Sequence, residues 1–261
     1  MENKLIKPII KVGNSGGVLV PREWVNGSAK VELIAKPLNI KSDILEILSP
    51  YLEDIMGIYL TGSYARDEQT NKSDVDVLVI TDELSNRIKK GKYDILLIKK
   101  DDVNNALEND ALPIIPMLIE AKPIMGKNLI EDYKKQVKLS KKNLRFYIET
   151  GKSILKVNKA AIELDKQISS NCDDSIAYSL ILRLRSSYIL DCLIKKKIWS
   201  NREFLNITRK IAGSLEAYEG YLRVKNDEKT KETLPILEAE KLLNYILKKL
   251  KEHEKWLKRR N

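Results

Sequence analysis

The sequence contains a single histidine, His253, close to its C-terminal end, and only two cysteines, Cys172 and Cys192. This scarcity argues against His-rich zinc sites, Ser-His-Asp triads and histidine-based ribonuclease sites, which depend on histidine. Any chemistry must therefore use carboxylates, hydroxyls, lysines or metals held by oxygen. The cysteines form no CxxC pair and no disulfide framework, so we expect a reducing, cytoplasmic location.

Long hydrophobic runs are also missing. No apolar run approaches the ~18 residues that a membrane span needs, and the N-terminus does not have the pattern of a signal peptide. Of the 261 residues, 43% are hydrophobic and 32% are charged, which is typical of a chain with a packed core. The length alone is typical of one or two domains. We expect a globular protein that has no membrane partner.

The charge is not evenly spread, and the C-terminal half lacks the acidic residues to balance its Lys and Arg. The net charge is +10, and counting Lys and Arg against Asp and Glu gives −4 for residues 1–133 and +14 for residues 134–261. A basic half is compatible with a nucleic-acid or other polyanionic partner. The alternative is a lysine-rich solvated helical surface.

Three zones differ in their periodicity, and we predict three domains: residues 1–37, 38–128 and 129–261. The first zone has short strand patterns around the turn-forming run Gly13–Gly17, followed by a helical turn that opens on Pro21. The predicted strands are Ile9–Val12, Val18–Val20 and Lys30–Ala35.

The second zone mixes helical and strand patterns. Helical segments are predicted at Ile40–Met56 (with a break at Ser49-Pro50), Gly62–Glu68, Asp102–Glu108 and Pro113–Ile119. Strands are predicted at Gly57–Thr61, Val75–Ile80 and Tyr93–Lys99.

The third zone has no strand pattern. Apolar residues recur every three or four positions in four segments: Asp132–Leu164, Ser175–Lys196, Ser200–Val224 and Leu234–Arg259. Ser200 is a plausible N-cap. The predicted fold class is therefore α+β: a small mixed β-sheet domain between an N-terminal β-hairpin module and a C-terminal antiparallel helical bundle.

A glycine-serine turn follows the strand that ends at Thr61. Gly62 permits a tight turn, and a helix starting there directs free N–H groups toward a ligand such as a phosphate. Ser63 adds a hydroxyl donor. Arg66, one turn later, either reaches the same phosphates or pairs with a neighbouring carboxylate.

Three aspartates accompany this turn. Asp74 and Asp76 share one side of a strand start, because residues i and i+2 of a strand point the same way. Asp94 lies in the next predicted strand and joins them if the two strands are neighbours. Adjacent carboxylates repel unless a cation neutralises them, and divalent metals with oxygen ligands do so. Three carboxylates suffice for two metal ions in phosphoryl or nucleotidyl transfer.

These residues carry a family resemblance. Gly62-Ser63 and Asp74-x-Asp76 match the GS-x(10)-D-x-D pattern of polymerase-β-type nucleotidyltransferases. The run GSYARDEQTNKSDVDVLV resembles the minimal nucleotidyltransferase branch, whose pattern is GSxARGxxxxxSDxDL. The resemblance covers roughly residues 40–127. One departure is Asp67, which stands where the family has glycine and brings a negative charge close to the phosphates.

The resemblance implies roles for individual positions. Ser63 and the Gly62 backbone would hold the phosphates of a nucleoside triphosphate, with ATP as the expected nucleotide. Asp74 and Asp76 would bind two Mg²⁺ ions. Asp94 would bind the catalytic metal and help to deprotonate an acceptor hydroxyl.

The flanking zones resemble other modules. Ile9–Ala35 is similar to the AbrB/SpoVT-type swapped-hairpin fold, which implies a homodimer and possible DNA binding. The alternative is a simple hairpin packed on the catalytic domain. The bundle resembles the helical domains of kanamycin-nucleotidyltransferase-like and HEPN proteins, but HEPN ribonucleases need an Arg-x(4–6)-His pair, and His253 is the one histidine.

Two functions follow from these patterns. The first is a Mg²⁺-dependent nucleotidyltransferase that moves a nucleoside monophosphate from an NTP to an acceptor hydroxyl on a small molecule, a protein or an RNA. The second is a dimeric DNA-binding or antitoxin-like regulator whose nucleotidyltransferase fold is weak or silent. The intact carboxylates favour the first function, and Asp67 and the N-terminal segment motivate the second.

Overall fold

The computed structural model describes residues 5–32, 38–70 and 73–259. The chain divides into two compact units, one ending at Asn39 and the other beginning at Ile40. Among the described residues, none of the helices is long and apolar enough to cross a membrane.

The N-terminal unit contains one short antiparallel hairpin, formed by β1 (Ile10–Val12) and β2 (Ser15–Gly17). Gly13 has φ +58, and the two-residue loop fits a turn that has positive φ at its first central position. Strand β2 ends at Gly17, and residues 18–20 are not in a strand, so the strand predicted at Val18–Val20 is wrong. Lys30–Glu32 are not in a strand either, and the rest of that predicted strand, residues 33–35, lies outside the described residues.

A 3₁₀ turn at Arg22–Trp24 follows Pro21 as predicted. None of residues 5–32 is buried, and several large apolar side chains of this unit are exposed, including Ile6, Leu19 and Val25. A segment of this size cannot build an adequate core alone.

A five-stranded mixed sheet forms the centre of residues 40–128, with the strand order β5-β6-β4-β3-β7. Its strands are β3 (Ile55–Leu60), β4 (Val75–Thr81), β5 (Asn86–Lys90), β6 (Tyr93–Lys99) and β7 (Lys122–Met125). Strands β4 and β6 are parallel and all other neighbours are antiparallel.

Helices cover both faces of this sheet. They are α1 (Ile40–Leu48), α2 (Gly62–Ala65), α3 (Lys100–Asn109), α4 (Ile115–Glu120) and α5 (Lys127–Gln136). On one face, Val75, Val77 and Val79 pack with α1; on the other, Leu78 and Ile80 pack with α3, α4 and α5. The alternation along β4 is that of a strand with two covered faces.

The helix predicted at Ile40–Met56 is shorter than expected. It ends at Leu48, a 3₁₀ turn occupies Ser49–Asp54, and β3 begins at Ile55. Pro50 explains the predicted break, because the residue before a proline is disfavoured in the α conformation.

The C-terminal bundle contains α6 (Lys141–Ile168), α7 (Asp174–Ile194), α8 (Asn201–Ala212), α9 (Glu216–Lys225) and α10 (Ile236–Lys258). Two-residue strands β8 (Asn171–Cys172) and β9 (Leu234–Pro235) pair beside it. These helices share one large apolar core. The predicted α+β fold class, with a central mixed sheet and a helical C-terminal region, is confirmed.

Two of the four predicted bundle segments are each divided into two helices. The first breaks between Gln136 and Lys141, where the Ser140 hydroxyl accepts from the amide of Asn143 at 3.0 Å and caps α6. The other breaks at Gly213, which has φ +109 and ends α8. Ser200 caps α8 as predicted.

Candidate active site

The structure brings the three predicted aspartates to one end of the sheet. Asp74 directly precedes β4, Asp76 is the second residue of β4, and Asp94 is the second residue of β6. Asp76 and Asp94 occupy paired positions on these parallel neighbours. The strand pairing on which the position of Asp94 depended is therefore present.

Burial and like charges act together on this cluster. Burial raises the pKa of Asp76 to about 6. Lys225 of α9 opposes the rise, and its Nζ lies 3.8 Å from an Asp74 carboxylate oxygen. Neighbouring carboxylates add to the rise; they belong to Asp94, Asp74 and Glu120. Asp76 is thus a half-buried carboxylate whose pKa is raised mainly by its removal from water.

Asp94 has a different environment. The guanidinium of Arg87, on β5, donates to both of its oxygens, with Nε at 2.8 Å and Nη2 at 2.6 Å. This bidentate pairing holds the pKa of Asp94 below its usual value. Asp94 is thereby neutralised by a residue that the sequence patterns did not single out.

The donor set fits a hard divalent cation in chemistry, because every candidate ligand is a carboxylate oxygen. In the part of the chain that the structure describes, however, no group of three or more acidic, histidine or cysteine side chains has the spacing of a metal site. In the observed arrangement Asp94 pairs with Arg87, and Asp74 lies 3.8 Å from Lys225.

The Gly62 turn lies against Asp76. Gly62 has φ +67, and a Cβ atom added to it would lie 2.0 Å from Oδ2 of Asp76. The amide of Thr61 donates to the Asp76 carbonyl at 2.9 Å, which fixes the turn to the start of β4. Glycine is therefore required here by both backbone conformation and space. Ser63 follows within the short helix α2 and is half-buried.

Arg66 is enclosed by carboxylates. Its Nε donates to Glu68 at 3.1 Å, and its Nη1 forms a very short contact with Glu120. Glu120 also accepts from the Gly62 amide at 2.6 Å and from the indole N–H of Trp199 at 3.1 Å. In the structure the Arg66 guanidinium therefore lies between the carboxylates of Glu68 and Glu120. Glu120 in turn accepts from the Gly62 amide and so supports the turn.

Glu68 connects the same turn to the bundle. Its carboxylate accepts from the Ser200 hydroxyl at 2.5 Å and from the Asn201 amide at 3.0 Å, at the N-terminus of α8. A carboxylate is favoured at that end of a helix. The sequence patterns did not identify Glu120 or Trp199, because their partners are 58 and 79 residues away along the chain.

Asp67 adopts a left-handed conformation with φ +57, which explains why glycine suits this position. Its carboxylate is 78% exposed and pairs with Lys122 of β7 at 2.7 Å. The negative charge is thus compensated on the surface.

Residues 41–166 match a family model described as a nucleotidyltransferase domain. No match was found among curated proteins. Among solved structures, a nucleotidyltransferase-like protein from Exiguobacterium sibiricum is 16% identical, with 82% of this chain and 75% of that chain covered and a TM-score of 0.35.

A spectinomycin adenyltransferase from Enterococcus faecialis, solved with ATP and spectinomycin, is 15% identical. The similarity covers 80% of this chain and 97% of that chain, with a TM-score of 0.42. The match of residues 41–166 agrees with the expected domain type and supports a nucleotidyltransferase enzyme.

Proposed function

We propose that this enzyme transfers a nucleoside monophosphate from an NTP, with ATP as the expected nucleotide, to an acceptor hydroxyl in a Mg²⁺-dependent reaction. The observation that carries the proposal is the pairing of Asp76 with Asp94 on neighbouring parallel strands, with Asp74 two residues before Asp76. We assign the catalytic domain to residues 38–128, between an N-terminal module of residues 1–37 and a bundle of residues 129–261.

Asp74, Asp76 and Asp94 are the proposed metal ligands, with two Mg²⁺ ions expected. The ions would neutralise the phosphates and stabilise the negative charge that develops on the attacking and leaving oxygens. Asp76 is the most buried of the three, so its charge has the least access to water and the greatest need of a cation.

Ser63 and the turn at Gly62 are the proposed nucleotide-binding elements. The absence of a side chain at Gly62 keeps the space beside Asp76 open, and Ser63 offers a hydroxyl. The Gly62 amide and Arg66 are both engaged by Glu120, so we assign to Arg66 the role of holding the turn in place.

The proposed reaction is an in-line displacement. The acceptor oxygen forms a bond to the α-phosphorus while the bond from that phosphorus to the oxygen bridging to the β-phosphate breaks. Pyrophosphate leaves with the bonding electron pair, and the hydroxyl proton passes to Asp94. The roles agree with the geometry, in which Asp94 and the Gly62 turn flank Asp76 on opposite sides.

Label transfer tests this proposal. The purified protein is incubated with each α-labelled NTP, Mg²⁺ and a cell extract as the source of acceptor. We expect label to transfer from at least one NTP and the Asp74→Ala variant to lose the transfer. Asp82→Ala, which removes an exposed carboxylate at the other end of β4, is the matched control and should keep it. Absence of both label transfer and calorimetric NTP binding in the presence of Mg²⁺ contradicts the proposal.

The second candidate is a dimeric DNA-binding or antitoxin-like regulator with a weak or silent site. Two observations favour it: Arg87 occupies both oxygens of Asp94, and residues 5–32 expose large apolar side chains without burying any residue. Binding of duplex DNA with a steep salt dependence would support this candidate.

The proposed homodimer has its own test. Leu19, which is 70% exposed in the N-terminal unit, is replaced by lysine, and the mass in solution is measured by light scattering. We expect the wild type to be a dimer and Leu19→Lys to shift it toward the monomer. Leu237→Lys on α10, where the leucine is 69% exposed, is the control and should leave the mass unchanged.

A further inference from the structure

The edge strand β5 presents cations to the candidate site. Lys89 pairs in register with Asp94, which pairs in turn with Asp76, so one row crosses β5, β6 and β4. Arg87 lies two residues from Lys89 and therefore shares its face of the sheet. The sequence NRIKK thus places two basic residues on the side of Asp94 opposite the Gly62 turn.

Arg87 forms a bidentate ion pair with Asp94 and is nevertheless exposed to solvent. Its guanidinium holds both oxygens of Asp94, yet its own side chain is 61% exposed while that of Asp94 is 17% exposed. A solvent-borne anion can therefore reach the guanidinium from outside. A planar guanidinium binds phosphate and carboxylate in the same bidentate manner, so the two are direct competitors for Arg87.

The position of Arg87 and Lys89 indicates which anion could compete with Asp94 for the guanidinium. In the proposed reaction the triphosphate lies over the Gly62 turn, and in-line attack brings the acceptor from the other side of Asp76. That side contains Asp94, Arg87 and Lys89. Lys89, which is in register with Asp94, and Lys225, whose Nζ lies 3.8 Å from an Asp74 carboxylate oxygen, are further cations at this end of the sheet.

We propose that Arg87 is a positioning residue that binds a phosphate group of the acceptor, and that this exchange of partners releases Asp94 to the metal. The inference rests on the proposed function and adds to it the acceptor class: a hydroxyl acceptor with a phosphate close by. Before the acceptor binds, the guanidinium neutralises Asp94 and repels a divalent cation from it. Cationic acceptors meet two like charges and are disfavoured.

Metal binding tests the first half of the proposal. The affinity for Mn²⁺ alone is measured by electron paramagnetic resonance in the wild type, Arg87→Gln and Lys89→Gln. Both variants remove one positive charge from the same strand, but Arg87→Gln alone frees Asp94. We expect Arg87→Gln to tighten Mn²⁺ binding about tenfold, a size typical of changes at groups that contact a metal ligand, and Lys89→Gln to tighten it much less. Equal effects overturn the proposal, because they indicate a long-range field alone.

Coupling between phosphate and metal tests the second half. Mn²⁺ affinity is measured with and without each of two probes, a short RNA with a free 3′-hydroxyl and glycerol phosphate. In the wild type at least one probe should tighten Mn²⁺ binding, and Mn²⁺ should tighten binding of that probe by the same factor. The coupling should vanish in Arg87→Gln and persist in Lys89→Gln. The probe that couples distinguishes a nucleic-acid acceptor from a small phosphorylated one.

The outcomes separate this inference from the proposed function. If Mn²⁺ binds and Asp74→Ala abolishes the binding, but neither probe couples to it through Arg87, the inference alone fails. If the wild type shows neither label transfer nor Mn²⁺ binding that depends on Asp74, both fail. Arg87→Lys keeps the charge without the two-pronged contact, so full coupling in that variant also overturns the partner exchange.

Discussion

At the scale of single residues, Gly62 is the position where the site tolerates the least change. A methyl group there would lie 2.0 Å from Asp76 Oδ2, and the backbone has φ +67. We expect Gly62→Ala to lower the free energy of unfolding by about 2–4 kcal/mol, from overpacking and left-handed strain together. NTP binding should also be lost.

Gly91→Ala provides the matched control for that prediction. Gly91 has φ +58, but a Cβ atom there would have no neighbour within 4 Å. Gly91→Ala should therefore lower the free energy of unfolding by about 1 kcal/mol, from the left-handed backbone conformation alone. Chemical denaturation of both variants measures the difference, and equal losses would show that the contact with Asp76 is unimportant.

Asp67 provides a second residue-scale prediction. Its exposed carboxylate pairs with Lys122, and an exposed pair of this kind contributes roughly 0–1 kcal/mol. We expect Asp67→Gly to leave NTP affinity within about twofold of wild type, because an exposed charge is screened. Calorimetry checks this, with Lys122→Ala as the companion variant. A tenfold gain in affinity would mean that Asp67 weakens the phosphate site.

At the scale of secondary-structure elements, burial decided what could be predicted. Strands β4 and β6 were predicted with nearly correct bounds, because their runs of Val, Ile and Leu are buried on both faces. Strands β5 and β7 were missed. Their sequences, NRIKK and KPIM, are largely exposed and have no alternating pattern, so pairing with a neighbour alone makes them strands.

A buried ion pair secures the start of α7. Asp174 is fully buried and accepts two bonds from Arg223 of α9 and one from the amide of Lys231, each at 2.8 Å. We expect Asp174→Asn to lower the free energy of unfolding by about 3–5 kcal/mol at neutral pH, because it leaves a largely buried guanidinium without its main partner. Asp173→Asn, which changes only the exposed N-cap, should cost about 1 kcal/mol or less.

The pH dependence of that effect has a definite sign. The hydrogen bonds from Arg223 hold the pKa of Asp174 below its usual value. A depressed folded-state pKa contributes stability above the unfolded pKa of about 4 and loses it as the pH falls through the folded value. The difference in the free energy of unfolding between the wild type and Asp174→Asn should therefore narrow only below about pH 4. A difference that narrows between pH 6 and 8 would contradict this assignment.

At the scale of the whole molecule, the sequence predicted the components of the site but not what holds them together. The spacing of Gly62, Asp74 and Asp76 carries a local pattern, and Asp94 needed only one strand pairing. Arg87 and Glu120 carry no such pattern, because each acts through a contact that exists only after the chain has folded. Their short-range sequence context is that of ordinary surface charges.

The contacts of Glu120 and Glu68 join the sheet to the bundle, so we expect the proposed nucleotide site to depend on a residue that does not touch it. Trp199 donates to Glu120, which in turn accepts from Gly62. Trp199→Phe keeps an aromatic side chain, although a smaller one, and removes the N–H that donates to the buried carboxylate of Glu120. This loss should lower the free energy of unfolding by about 1–3 kcal/mol.

The same variant should weaken NTP binding several-fold, because the Gly62 turn loses part of its support. Calorimetry measures the binding, and denaturation followed by both fluorescence and circular dichroism measures the stability. Trp24→Phe, in the N-terminal unit, is the control and should change neither. If Trp199→Phe loses stability but binds NTP as the wild type does, the bundle only supports the fold. If both fall together, the bundle helps to set the shape of the nucleotide site, and catalysis belongs to residues 40–259 as one body.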